Sequence, residues 1–331
     1  MPTMENIEPI TTREARIRIK GRDLRVPSLE IDGRSLIAVG RWLKIAVVRD
    51  EGFVQGPVVP DPQRTIEALK RWEQCPDIFA FPQKIGEPEA KLGFDIEWNN
   101  FAVVRITTYE DWLKNRIKKD VKENIRRAKR EGIVVRTSPY DDQFVRGIKE
   151  LYDETPIRQG KPFWHHGKSF EVLKEVHGTY QERAEYLGAY LGDELIGFIK
   201  MVYVDDFAKT MHVISKEKYF RMRPTNALIA KAVEICAEKR LSYLIYGEYS
   251  FAGKGKNPLT DFKRHHGFEE VRYPQHFVPL TTKGRIAIRL GLHRGLRRFV
   301  PAPATNVFLK LRGAYYRRKY AQSTGLRQNA S

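Results

Sequence analysis

The chain has 331 residues, enough for two domains or one large one, and 41% of them are apolar, enough for real cores. No run of about 18 apolar residues occurs, so no membrane-crossing helix is expected. Only Cys75 and Cys236 are present, which gives neither a disulfide framework nor zinc-site spacing; residues 1–16 lack a charged-then-apolar signal pattern, and a reducing cytoplasm fits.

The net charge of +18 is unevenly spread. No Asp or Glu follows Glu270, and the last 61 residues carry 13 Lys or Arg. Residues 1–270 hold the other 46 basic residues against all 41 acids. A tail of one sign seeks phosphates on nucleic acid, an anionic lipid surface or an anionic substrate, or simply keeps the surface solvated.

In chain order, Ala15–Lys20, Ser35–Val39 and Leu43–Val48 read as strands, with Asp32-Gly33 as a hairpin turn. Asp61-Pro62 opens a helix to about Glu73, and Asp77–Phe81 and Phe101–Ile106 are strands separated by a loop over 82–100. Thr108 or Asp111 starts one long helix to Glu131, with Leu113, Ile117, Val121, Ile125 and Ala128 as its apolar stripe, stopped by Gly132. A strand over Ile133–Arg136 and a helix over Asp141–Glu154 lead to a loop, 155–170, rich in aromatic, His and cationic residues. A helix over Phe170–Tyr180 precedes a hairpin of Tyr186–Leu191 and Leu195–Val204 turning at Gly192-Asp193, then a strand over Lys209–Ser215. Pro224–Arg240 is a helix, Ser242–Tyr246 a buried strand, and Asn257-Pro258 caps a short helix ending at Gly267. Strands at Phe268–Val271 and His276–Pro279 and helices over 284–299 and 306–320 complete the chain. Ile288, Leu292, Leu296 and Phe299 line one face of the first tail helix; it docks on the protein, lies on an anionic membrane or tracks RNA phosphates.

Three passages carry a family resemblance. Trp112, Val121, Asn124, Arg127, Lys129, Arg130, Glu131 and Gly132 form the first. Tyr190-Leu191-Gly192-Asp193-Glu194-Leu195-Ile196-Gly197 is the second, and Leu259, Phe262, Lys263, Gly267 and Phe268 are the third. Together they resemble Fem-type acyltransferases of the GNAT-like (acyl-CoA N-acyltransferase) superfamily, near the polysaccharide-associated acetyltransferase-like branch. The resemblance implies an α+β fold with a mixed central sheet flanked by helices. It covers residues 108–282 well. Residues 1–107 read either as a degenerate first half of a tandem GNAT-like protein or as a strand-rich N-terminal domain, and 283–331 as a basic helical tail.

The family's implied function is transfer of an acyl or aminoacyl group to an amine of an amino sugar, peptide or bacterial cell-envelope precursor, without a covalent enzyme intermediate. Two central strands, Lys209–Ser215 and Ser242–Glu248, would part to hold the acyl group. No permanently bound cofactor is implied; acyl-CoA, an acyl carrier or aminoacyl-tRNA is the donor. Enzymes using coenzyme A place glycines where this chain has Arg221-Met222-Arg223-Pro224-Thr225-Asn226. Pro224 removes a backbone donor and Asn226 crowds a pyrophosphate, which moves the reading toward carrier-bound donors and tRNA.

Candidate catalytic residues are His165, His166, Glu248 and Tyr246: imidazoles take protons near neutral pH, Glu248 could serve as base and Tyr246 could protonate a leaving group. Arg221, Arg223, Asn226, Lys254, Lys256 and Lys263 are candidates for the donor's anionic part. Arg158, Lys161, Phe163, Trp164 and Tyr249 are candidates for the acceptor. The same residues are also compatible with an ordinary loop anchored by Trp164 and with packing tyrosines beside a surface carboxylate. No metal-ligand spacing occurs. The competing function is a non-catalytic GNAT-like module binding nucleic acid or anionic lipid through its tail. A cytoplasmic place, peripheral to the inner membrane face, suits either reading.

Overall fold

The structure is a computed structural model, and it describes residues 12–19, 22–87, 93–158, 161–250 and 258–294. The first strands are β1 (Arg13–Ile19), β2 (Arg22–Ile31), β3 (Arg34–Val39) and β4 (Ile45–Val48), followed by α1 (Pro62–Arg71) and β5 (Ile78–Pro82). Next come β6 (Asp95–Arg105), α2 (Tyr109–Asp111), α3 (Lys119–Arg130), β7 (Ile133–Thr137) and α4 (Asp142–Asp153). The short β8 (Ile157–Arg158) and β9 (Lys161–Pro162) precede α5 (Phe170–His177), β10 (Ala184–Leu191), β11 (Glu194–Val204) and β12 (Phe207–Ser215). Then follow α6 (Pro224–Glu238), β13 (Tyr243–Ile245), α7 (Pro258–His265), β14 (Glu269–Pro279) and α8 (Thr282–Arg289). Two compact units share these elements: residues 12–99 with 272–294, and residues 100–271.

In the first unit the strands run β1-β2-β3-β4-β5-β14. Asp32 and Gly33 both have positive φ (48° and 71°), the left-handed pair a tight hairpin needs, and they join β2 to β3. The Asp61 carboxylate accepts from the Arg64 N–H and caps α1. Leu69 and Trp72 bury fully against Leu36, Ala46, Phe79 and Phe81. α8 packs at this unit's edge through Gly284, where a Cβ would stand 1.9 Å from the Asp77 carbonyl oxygen; only glycine fits. Residues from 295 onward, including the expected second tail helix, lie outside the described residues.

The second unit orders its strands β6-β13-β12-β11-β10-β7. α3 and α6 cover one face through Val121, Ala128, Leu228, Ile229 and Val233, and α4 and α5 cover the other through Val145, Ile148, Leu151 and Leu173. Each fully buried aliphatic side chain of this kind contributes about 1.5–3 kcal/mol. β10 and β11 form the expected hairpin, with Gly192 at φ 59°.

Several elements differ from the sequence reading: β2 is a strand not expected there, and the helix expected over 284–299 is α8, which ends at Arg289. The long helix over 108–131 is broken: Trp112–Arg116 forms a π turn, Ile117 is extended, and Lys118 starts α3. Tertiary bonds explain the break, since the Lys118 N–H donates to the His265 carbonyl at 3.0 Å and the Trp112 indole donates to the His266 carbonyl at 3.0 Å. β6 begins at Asp95, inside the expected loop, and the two late strands are one, β14.

Candidate functional site

The second unit's central parallel pair is short. β12 and β13 match only at Phe207↔Tyr243, Ala208↔Leu244 and Lys209↔Ile245. Beyond that point each strand follows its other neighbour. β12 stays with β11 as far as Ser215↔Gly197, whereas the chain after β13 stays with β6, the Tyr246 N–H donating to Ala102 O at 2.8 Å and the Ala102 N–H to Gly247 O at 2.9 Å. Met211 is an extra residue between the pairs Met201↔Thr210 and Lys200↔His212. Such a bulge bends its strand and raises its twist, which turns β12 away from β13. Past Lys209 and Ile245, residues 210–215 and 246–249 therefore run side by side with no pairing between them among the described residues.

The described contacts gather the candidate residues into two groups. The first follows β13. Lys263, on α7, is 2% exposed, donates to the Glu248 carbonyl oxygen, and lies 4.9 Å from the Tyr246 ring centre. Burial lowers its ammonium to about 8, with the Glu248 charge opposing. The Glu248 carboxyl is raised by desolvation, with Lys263 opposing, and the Tyr246 hydroxyl is pushed up to about 12 by burial. The amides of Tyr249 and Ser250 donate to the Asn100 side-chain oxygen at 2.8 and 2.9 Å, which fixes the backbone after Glu248.

Asn226 belongs to the same region but faces inward. Its Nδ2 lies 2.9 Å from His266 Nε2, and His266 Nδ1 lies 2.7 Å from the Phe262 carbonyl oxygen. A carbonyl only accepts, so Nδ1 carries the proton and Nε2 accepts from Asn226. Burial keeps His266 neutral, lowered to about 4. Asn226 therefore ties α6 to α7, and its side chain is not presented to a donor. Arg223, at φ 66°, precedes α6 and is exposed, as is Arg221. The N–H groups of Asn226 and Ala227 both turn to Arg223 O, and Pro224 has none. Little remains at this helix start to cradle a pyrophosphate.

The second group sits on the opposite face of the sheet, under α4 and α5. His165 reaches the interior, its ring 4.6 Å from Tyr152, 5.3 Å from Phe163 and 6.1 Å from His212 on the bulged part of β12. His177, fully buried, stacks edge-on to His212 at 4.4 Å. Lys200, also fully buried, donates to His177 O at 2.8 Å, to Thr179 O, and to Thr179 Oγ1 at 3.0 Å, so three oxygens satisfy its three protons. Burial lowers it to about 8, with Glu182 opposing. Burial also lowers His165 to about 4, helped by Lys168. The same desolvation takes His212 to about 3 and His177 to about 2. Among the described residues no group of three His, Cys, Asp or Glu side chains is placed to hold a metal ion.

Sequence reasoning missed His177, His212 and Lys200. Lys200 was visible as a lone charge in the apolar run Ile196–Val204, but the helix-end His177 gave no local signal. Arg158 is 12% exposed and is held by its own loop: it donates to Ser215 O, meets Glu217 at 3.5 Å, and stacks 5.2 Å from Phe163 and 5.9 Å from Phe220. It joins the loop after α4 to the end of β12. His166, Lys161 and Trp164 point to solvent. Lys254 and Lys256 lie outside the described residues.

No protein-family model and no curated protein matches this sequence. Solved structures do. The crystal structure of FemX aligns at TM-score 0.55 and 9% identity over 80% of this chain and 88% of that one. The C-terminal domain of a putative lysylphosphatidylglycerol synthetase from Agrobacterium fabrum aligns at TM-score 0.53 and 13% identity, over 77% and 84%. A conserved protein of unknown function from Bacteroides thetaiotaomicron aligns at TM-score 0.53 and 10% identity, over 77% and 86%. At such identities the likeness speaks of architecture alone. With its mixed sheet and flanking helices, the chain has the α+β fold seen in the FemX structure.

Proposed function

We propose that the second unit is an acyl or aminoacyl transferase that acts on an amine without a covalent intermediate. The observation that carries the reading is the parting of β12 and β13 after Lys209 and Ile245, next to a buried lysine on α7. Backbone groups of the parted strands other than Ser215 O and Glu248 O, which Arg158 and Lys263 hold, would align the acyl carbonyl and stabilise the oxyanion that forms as the amine attacks. The amine nitrogen forms the new C–N bond and the acyl–oxygen or acyl–sulfur bond breaks. Glu248, with its raised carboxyl, takes the proton lost by the amine. Lys263, poised near neutrality, or Tyr246 above it returns a proton to the leaving atom.

The starting turn of α6 offers few free N–H groups, which favours a carrier-bound donor such as aminoacyl-tRNA over acyl-CoA. FemX and the lysylphosphatidylglycerol synthetase domain are fold neighbours that agree with aminoacyl transfer. The acceptor class that best suits the cationic, aromatic loop of Lys161 and Trp164 is an anionic envelope precursor bearing an amine. The test is transfer of labelled acyl groups from a charged-tRNA pool and from acyl-CoAs to amine acceptors, run with the full chain and with Lys263→Met. Turnover from one donor class that collapses in Lys263→Met supports the reading. A folded protein inert with every donor, yet retaining nucleic acid through its basic residues, would favour the non-catalytic module.

A further inference from the structure

In the first unit, α8 presents an outward strip that the transferase reading does not use. Its inner side is Gly284, Ala287 and Ile288, packed on the unit. Its outer side carries Ile286, 53% exposed, and Leu290 just after the helix, 61% exposed, four residues apart and so on one face. Arg285 and Arg289 border this pair on one flank, and Lys283 borders it on the other. Trp42, 66% exposed, lies with its ring 5.4 Å from Lys283 Nζ, and Arg41 beside it is exposed. Asp77 pairs with Lys283 at 3.1 Å, whereas Arg285 and Arg289 form no ion pair with any described residue.

We infer that this strip is a docking surface for an anionic lipid bilayer, lying in the plane of the headgroups. Two exposed aliphatic side chains and a tryptophan flanked by free arginines match the layered chemistry of that interface: apolar groups enter the acyl boundary, the indole sits at headgroup level, and the cations meet lipid phosphates. The other candidate occupants fit less well. The chain's own segment after 294 has no acidic residue, so it would bring cations against cations. A second copy of the same strip repeats that clash. Nucleic acid would satisfy the arginines but gives Ile286 and Leu290 nothing to bury in.

The test is flotation of the full chain with vesicles of phosphatidylcholine alone or mixed with phosphatidylglycerol. Binding is expected only to the mixed vesicles and to weaken with salt. Replacing Arg285 and Arg289 together by Gln should weaken it roughly 25-fold, at about fivefold for each cation removed. Ile286→Ser with Leu290→Ser should weaken it comparably, and bromine-labelled lipid should quench a fluorescence component that Trp42→Phe removes. All of these side chains are exposed, and unchanged thermal melts would show that the variants fold. Unaltered vesicle binding in both double variants would overturn the inference and assign any lipid affinity to residues beyond 294. RNA binding that falls in the arginine variant but not in the aliphatic one, with no lipid binding, would overturn it in favour of nucleic acid.

Discussion

Two buried polar groups lie on opposite sides of the second unit's sheet, and they are built on different principles. Beside β13, the Lys263 ammonium and both His266 nitrogens have hydrogen-bond partners, and Asn226 closes the set. Beneath α4 and α5, both nitrogens of His177 and Nε2 of His212 are buried with no partner. A satisfied network fixes geometry, as a reacting centre requires. Unpartnered imidazoles fix little and must stay neutral. On the proposed function, the positioning chemistry belongs to the α7 side, and the histidine cluster is a packing feature with a cost that depends on pH.

The largest effect should come from Lys263→Met. If the α7 group is the reacting centre, transferase turnover falls at least about 100-fold, the scale of losing one electrostatic contact in a transition state. Replacing His177 by Phe should leave turnover within about threefold, since the altered ring lies on the other face; equal losses in both variants would erase the comparison.

Stability separates the groups next. Asn226→Ala leaves the buried His266 Nε2 without a donor and should cost about 1–3 kcal/mol in a denaturant melt. His177→Phe removes two unpaired buried nitrogens at similar volume, so its melt at neutral pH should shift by less than about 1 kcal/mol in either direction.

Acid titration sharpens the difference further. Histidines lowered in the folded state, to about 4, 3 and 2 for His165, His212 and His177, bind protons more readily when unfolded. Stability is therefore full above the ordinary histidine range, near 6.5, and is lost as pH falls below it, by up to about 1.4 kcal/mol per pH unit for each histidine. The loss continues until pH reaches each folded value. His177→Phe should make the slope between pH 6 and about 4 shallower by one proton's worth, measured as urea midpoints against pH. An unchanged slope would mean that His177 is protonated in the folded chain.

Much of this architecture was legible locally. Asp32-Gly33, the Asp61 cap, Gly132, the Gly192 hairpin and the Pro224 helix start are short-range signals that act within a few residues. Lys263, Glu248 and Tyr246 were also legible as candidates, through the family-like passage and their place at a strand end. The break at Ile117–Lys118 was not, because its cause is a carbonyl at position 265, far along the chain. For the same reason Asn226 looked like a donor contact, although its partner is His266, and Arg158 looked like a free cation, although Ser215 holds it. The first unit hides β2 behind charged residues and Pro27, and its closing strand β14 lies nearly 190 residues beyond β5, where no local pattern can announce it.

On the proposed function, the parting of β12 from β13 gives an acyl group a place to lie, and hydrogen exchange on the full chain measures it directly. Amides in 207–209 and 243–245 should be protected, while those in 210–215 that face away from β11, with those of 247 and 248, should exchange fast and slow when a non-hydrolysable aminoacyl donor analogue is added. Uniform protection along both strands without donor, or fast exchange that no donor alters, would contradict a transferase gap at this place.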